Sequence, residues 1–296
     1  MMKIGDKMIK KIKLKKKAKV IIIFIICILL ITTSIVISTT KEEKKYSQNL
    51  TTEQKYINKL KKITYYNNKY KKRYISYHKK NKKLTPEEVV IYVNIGIDKP
   101  YYTNTKPTKN LNSNTILVNK YNYLTKDYIP NDLEEINTTY ARSGMQLVKE
   151  AKEAFESLAE AAKKEQMTII AMSSYRSYDY QVELYNKYVQ TDGKDAADTY
   201  SARAGYSEHQ TGLAVDVYNN DLPYTSFEQT EEFNWMQKNA YKYGFILRFP
   251  KDKTNLTGYQ YESWHYRYVG KKVAKEIYKN NLTLEEYYVN RVEKNN

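Results

Sequence analysis

The chain has 296 residues, 41% of them hydrophobic, enough for a buried core in one large domain or in a domain with appendages. A single cysteine, Cys27, excludes an intrachain disulfide and a thiolate metal cluster. The net charge of +17 suggests an anionic partner, yet the excess sits in lysines before residue 20 and in a block from Lys55 to Lys83, which argues against nucleic acid.

Residues 1–19 read as a basic cytoplasmic segment. From Val20 to Ser38 the run VIIIFIICILLITTSIVIS carries no charge and, at 1.5 Å per residue, is long enough to cross a hydrocarbon core of about 30 Å. The lysines before it predict a single-pass anchor with the N-terminus in the cytoplasm and the rest of the chain extracellular. A cleaved signal peptide shares the basic start, but the run is long and no Ala-x-Ala-like site follows it. Residues 39–84 form a polar, basic stalk whose lysines suit anionic lipid headgroups or anionic wall polymers. His78 lies in that stalk among lysines and is assigned to no site.

The folded part is expected over residues 85–296. Thr85-Pro86-Glu87-Glu88 has the N-cap, first-turn proline and third-position glutamate of a capping box, so a helix begins there. Ile116–Asn119 reads as a strand and Tyr128–Leu133 as an irregular connection. Ser143–Gln166 carries apolar residues near the helical period, and Met167–Met172 is a β-rich run directly after it. Further elements are a helix over Tyr178–Val189, a strand over Leu213–Val217, a helix over Phe233–Tyr243, a strand over Trp264–Val269 and a last helix around Lys272–Tyr278. Helices and strands mix without a regular βαβ repeat, which predicts an α+β fold. The 32 tyrosines read as compositional bias, alongside abundant Lys, Asn and Ile.

Two segments carry chemistry: Ser207-Glu208-His209-Gln210-Thr211-Gly212-Leu213-Ala214-Val215-Asp216, and Glu262-Ser263-Trp264-His265-Tyr266-Arg267-Tyr268. They hold two of the chain's three histidines, each beside a carboxylate. Catalytic zinc takes three ligands from His, Asp or Glu and leaves a place for water. His209, Asp216 and His265 are the expected ligands and Glu262 the expected base. A seven-residue offset puts His209 and Asp216 on opposite faces of a continuous strand, so Gly212 is expected to break it, leaving His209 on a loop. Glu262 and His265, three apart, would share one space from a tight turn. Arg176 is the candidate for holding a developing oxyanion or a terminal carboxylate, and Tyr206, Ser207 and Gln210 are candidate substrate contacts. The helix-borne His-Glu-x-x-His spacing is absent.

Both segments, together with Tyr175-Arg176-Ser177 and Ser201-Ala202-Arg203-Ala204-Gly205-Tyr206, resemble the signature blocks of the zinc D-alanyl-D-alanine carboxypeptidase family (VanY-like peptidoglycan carboxypeptidases), over about Thr85–Lys279. The resemblance implies a small central antiparallel sheet flanked by helices (DD-peptidase/Hedgehog-like) and one Zn2+ per chain on His209, Asp216 and His265. It also implies catalysis by Glu262, transition-state stabilisation by Arg176, and serine-independent removal of the C-terminal D-alanine from peptidoglycan stem peptides. The family usually has proline at the positions of Ser263 and, often, Ala204, so the backbone beside the site is less constrained in this chain. Two other readings stand beside it: an L,D-carboxypeptidase trimming tetrapeptides, and a non-catalytic cell-wall-binding module.

Overall fold

The computed structural model describes residues 31–33, 35–39 and 51–292. They fall into two units that divide after Lys62. In the first, residues 31–33 and 35–39 are helical, and helix α1 (Thr52–Leu60) follows, capped by Thr51, whose side chain accepts from the Gln54 amide. Most of the expected anchor at Val20–Ser38 lies outside the described residues. Among the described residues no helix is long and apolar enough to cross a membrane.

The second unit begins at Ile63, earlier than the expected start at residue 85. Its helix α2 (Lys71–Lys80) lies within the expected stalk and buries Tyr74 completely. The Tyr74 hydroxyl donates to Asn94 at 2.6 Å, and the Arg73 guanidinium binds the Val93 carbonyl in the last turn of helix α3 (Pro86–Ile95) and Asp98 just beyond its end. A lysine-rich segment can therefore pack, because its few large side chains have their polar ends satisfied. The expected capping box is present: Thr85 Oγ1 accepts from the Glu88 amide and Glu88 Oε2 accepts from the Thr85 amide.

Two short pairs come next, β1 (Lys106–Pro107) with β2 (Asn122–Tyr123) in parallel, and β3 (Leu133–Glu135) with β4 (Gln146–Val148) antiparallel. Ile116–Asn119, expected as a strand, is buried but joins no ladder beyond one bridge from Asn119 to Asn122. The buried Arg267 guanidinium takes the carbonyls of Asn114 and Ile116, at 3.1 and 2.8 Å, in place of a neighbouring strand. The helix expected from Ser143 starts at Lys149 instead, as α4 (Lys149–Lys164). Met145 and Leu147 also satisfy a two-residue alternation, and pairing of Gln146–Val148 with β3 decides between the two periods.

The main sheet contains β5 (Ile170–Ser173), β6 (Ala214–Tyr218), β7 (Phe245–Phe249) and β8 (Glu262–Tyr268), in the order β5-β6-β8-β7 with every pairing antiparallel. One sheet face presents Val215, Val217, Phe245, Tyr266 and Tyr268 to a core that α4 closes with Ala151, Phe155, Leu158 and Ala162. Those α4 positions recur along one helical stripe, and each large apolar side chain buried there contributes about 1.5–3 kcal/mol. By strand alternation the opposite face carries Asp216, His265 and Arg267. Strand β7, four apolar residues interrupted by Arg248 after Gly244, has no counterpart among the expected strands. Helices α5 (Tyr178–Asp192) and α6 (Lys194–Tyr200) precede the 3-10 turn Glu208–Thr211. A 3-10 turn over Tyr224–Gln229 leads to α7 (Glu231–Asn239), which ends where the expected helix continues as a 3-10 turn to Tyr243. After α8 (Thr254–Thr257) and β8, α9 (Lys271–Asn280) packs Ala274 and Ile277 on Ile246 beside α10 (Leu284–Tyr287). The fold is α+β, with a small antiparallel sheet and helices.

Candidate active site

Strand pairing accounts for the first half of the site. Asp216 on β6 stands directly opposite His265 on β8, and cross-strand partners on one face are the closest side chains in a sheet. Asp216 Oδ1 is 3.1 Å from His265 Nδ1. His209 arrives from the turn Glu208–Thr211, which Gly212 ends in a left-handed conformation, φ +67. The break expected at Gly212 is thus present and leaves His209 free of the strand. His209 Nδ1 lies 2.6 Å from the Ser174 carbonyl, so it carries the proton and donates, leaving the Nε2 lone pair toward Asp216 Oδ2 at 3.3 Å.

One nitrogen from each histidine and one oxygen of Asp216 lie within 4.8 Å of one another, and all three residues are buried. The imidazole centroids are 5.0 Å apart. His209 Nε2 and Asp216 Oδ1 have no hydrogen-bond partner among the described residues, as expected of lone pairs reserved for a cation. Two imidazoles and one carboxylate make up a set that zinc accepts, and the residues fit that ion.

Glu262 does not sit in a tight turn. It is the first residue of β8, three before His265, and a regular strand would send the two side chains to opposite faces. The β7–β8 register shifts: Leu247 faces Tyr266 and Phe249 faces Glu262, so four residues of one strand are spanned by two of the other. The resulting bulge brings Glu262 Oε2 to 3.5 Å from His265 Nδ1.

Arg176 follows β5. Its Nη2 donates to Asp216 Oδ2 and its Nη1 to Gln181 Oε1, both at 3.1 Å, while its amide donates to the His209 carbonyl. Gln181 is held in turn by the Ala202 carbonyl. Burial pushes the Glu262 carboxyl up to about 8, with Asp216 adding to the effect. Burial also lowers His209 to about 4, with help from Arg176. At His265 burial works downward but is outweighed by Asp216 and Glu208, which raise it to about 9. Asp216 is held well below the ordinary carboxylate range because the two imidazoles outweigh its burial.

These groups line a cavity of about 390 Å3 together with Tyr188, Tyr200, Tyr206, Tyr224 and Trp264. That volume is within the range of small-ligand sites. Tyr206 and Ser207, the candidate substrate contacts, line it. Gln210 does not; its amide donates to the Thr125 and Tyr128 carbonyls at 3.0 and 3.1 Å and ties down that loop. The tyrosine-rich wall was hidden in the overall composition. Also unforeseen was a buried charge cluster behind His265, formed by Glu208, Arg248, Arg267 and Glu285. Its visible trace is that Glu208 and Arg267 are charged residues flanking the two histidines.

An α+β core brings two imidazoles, an aspartate and a second buried carboxylate to one cavity, the layout of a candidate metal centre. Residues 144–271 match the family model of VanY D-alanyl-D-alanine carboxypeptidases. YodJ of Bacillus subtilis (strain 168) is 44% identical over 185 residues, 58% of this chain and 66% of that protein. The bifunctional D-Ala-D-Ala dipeptidase and D-Ala-D-Ala carboxypeptidase VanXYC of Enterococcus gallinarum is 33% identical over 177 residues, 58% of this chain and 92% of that protein. Among solved structures, the LdcB LD-carboxypeptidase superposes with TM-score 0.59 at 41% identity, covering 63% of this chain and 90% of that one. A vancomycin-resistance D,D-pentapeptidase VanY in complex with Zn(II) superposes with TM-score 0.52 at 35% identity, covering 59% and 98%. The chain belongs to the VanY D-alanyl-D-alanine carboxypeptidase family. It spans a little under two thirds of YodJ.

Proposed function

We propose that the protein is a zinc D,D-carboxypeptidase that removes the C-terminal D-alanine from peptidoglycan stem pentapeptides. The observation that carries this reading is the convergence of His209, Asp216 and His265 within 4.8 Å, beside Glu262 and in a cavity of peptide-ligand size. His209 Nε2, one Asp216 oxygen and His265 Nδ1 would hold a single zinc ion. Bound there, zinc supplies Lewis-acid polarisation of the scissile carbonyl and makes a water acidic enough to attack near neutral pH. Glu262 takes the proton of the attacking water and returns it to the leaving D-alanine amine. Arg176, held by Asp216 and Gln181, directs its guanidinium to the carbonyl oxygen as that oxygen gains charge. Tyr206 and Ser207 line the substrate path, and the tyrosine wall excludes bulk water.

The Val20–Ser38 run would anchor the chain in the cell membrane, with the catalytic unit outside and the basic residues of Lys55–Lys83 resting on anionic lipid headgroups or wall polymers. That placement puts the cavity beside uncrosslinked stem peptides.

A second reading, L,D-carboxypeptidase cleavage of tetrapeptides, is favoured by the likeness to LdcB. Incubation with defined pentapeptide and tetrapeptide stems, with and without a chelator, separates the two by the mass of the product. Chelator-sensitive loss of one alanine from the pentapeptide alone is expected; cleavage of the tetrapeptide alone refutes the D,D assignment. Glu262→Ala is expected to retain zinc and lose hydrolysis. A variant that still trims at the wild-type rate removes Glu262 from the mechanism, and a wild-type protein that binds zinc without cleaving either stem indicates a wall-binding module.

A further inference from the structure

We propose that Glu285, beyond the segment that matches the family model, is a positioning residue for the metal site, acting through Arg248 and Glu208 on the His265 ring. The inference rests on the zinc-site reading above and extends it to the C-terminal turn.

The chain of contacts is short and buried throughout. Arg248 Nη1 and Nη2 donate to the two Glu285 oxygens at 2.9 and 2.5 Å, a bidentate fork that fixes the guanidinium plane. The remaining edge of that plane aims Arg248 Nε at Glu208 Oε1, at 2.8 Å. Arg267 Nη1 reaches the same oxygen, also at 2.8 Å. Glu208 Oε1 is therefore doubly occupied, and Oε2 is turned toward His265 Nε2 at 3.7 Å. Among the described residues neither of those two atoms has a hydrogen-bond partner, so each faces the other with no competing polar contact. The Arg248, Arg267 and Glu285 side chains are 0% exposed and that of Glu208 is 2% exposed, so solvent cannot substitute for a missing contact.

The geometry assigns a direction to this cluster. His265 faces Asp216 and Glu262 with Nδ1, so its other nitrogen must be held for the ring to keep that orientation, and Glu208 Oε2 is the acceptor facing it. A carboxylate behind a ligating histidine fixes the ring tautomer and orientation. Without Glu285 the Arg248 fork has one anchor instead of two, and the guanidinium can follow Glu208 rather than hold it. Glu285 is itself braced: Asn119 Nδ2 donates to its Oε1 at 3.2 Å, and the turn that carries it is closed by a capping box between Thr283 and Glu286. Buried ion clusters are often no more stabilising than well-packed apolar residues of the same volume, and the placement of Glu208 against His265 assigns this one a positional role.

The test uses the full-length protein as wild type, Glu285→Gln, Glu208→Gln and the double variant. Zinc affinity of the metal-free protein is measured by competition with a chromophoric chelator, and the Co2+-loaded protein is examined by visible absorption. Thermal unfolding is recorded alongside. Glu285→Gln is expected to weaken zinc about tenfold, the lower end of what outer contacts to a ligand are worth, and to shift the Co2+ spectrum. Glu208→Gln is expected to weaken it further, and the double variant should bind no more weakly than Glu208→Gln alone, because both residues act along one path. A Glu285→Gln protein that melts earlier but keeps the wild-type affinity and spectrum overturns the proposal, as does full additivity. Should that variant not fold, Arg248→Lys, which cannot hold both glutamates as a fork, is expected to give the same loss, and an unchanged affinity there has the same overturning force. Neither readout requires turnover, so failure of the wild type to cleave stem peptides refutes the functional reading and leaves this one standing.

Discussion

Replacing Gly212 by alanine tests how the turn bearing His209 is built. Gly212 has φ +67, and a Cβ there would lie 2.9 Å from Leu133 Cδ2, 3.0 Å from Val148 Cγ2 and 3.3 Å from Pro130 Cγ. The left-handed backbone costs an L residue roughly 1–2 kcal/mol. Crowding adds about 1–3 kcal/mol, toward the low end here because the leucine and valine tips can yield while the proline ring cannot. A loss of about 3 kcal/mol corresponds, for a unit of this size, to a fall in Tm of roughly 6–12 °C. Gly144→Ala is the control, since Gly144 has φ +78 but nothing within 4 Å of an added Cβ; only the backbone contribution applies. Denaturant titrations of the two variants against wild type give the difference directly. Equal losses for Gly212→Ala and Gly144→Ala would show that packing of the β3–β4 hairpin against this turn contributes nothing, and the account of how His209 is placed would fall.

Two further outcomes are expected. Arg176→Lys cannot reach Asp216 and Gln181 together, so kcat on a pentapeptide stem should drop by about 10²–10³-fold with zinc content unchanged; an undiminished kcat removes Arg176 from transition-state stabilisation. Asp198 accepts from Arg203 at 3.0 and 2.7 Å and from Tyr185 at 2.7 Å. Burial acts to raise its carboxyl, but these partners outweigh it and hold it below its ordinary 3.8. Stability from a depressed carboxylate is fully present above the unfolded value and is lost as pH falls through the folded one. Asp198→Asn should therefore lose about 1–3 kcal/mol at pH 7, and its deficit relative to wild type should shrink as pH drops below about 3.8; a pH-independent gap between denaturation curves contradicts the ion pair.

Residue types and spacing along the chain determined the chemistry: two histidines and two carboxylates in compact segments, the glycine that had to break the strand between His209 and Asp216, and the capping box at Thr85. Such features are local, because a cap, a turn and a ligand pair are set by neighbours a few residues away. The α4 stripe and most strands were legible for the same reason, as periodicity records which side chains a core will take.

Tertiary structure alone decided the rest. That Asp216 faces His265 depends on the β6–β8 register. That Glu262 turns to the same space depends on a shift against β7, a strand whose five residues gave no periodic signal of their own. Gln210 could be assigned to the Thr125–Tyr128 loop only once that loop was in place, and Ile116 could be kept from a strand only by an arginine 151 residues away. Glu285 met Arg248, and through it Glu208, by the same kind of contact. Pairings between distant segments leave no pattern in either one, because the free energy that selects them belongs to the contact and exists only when both sides are present.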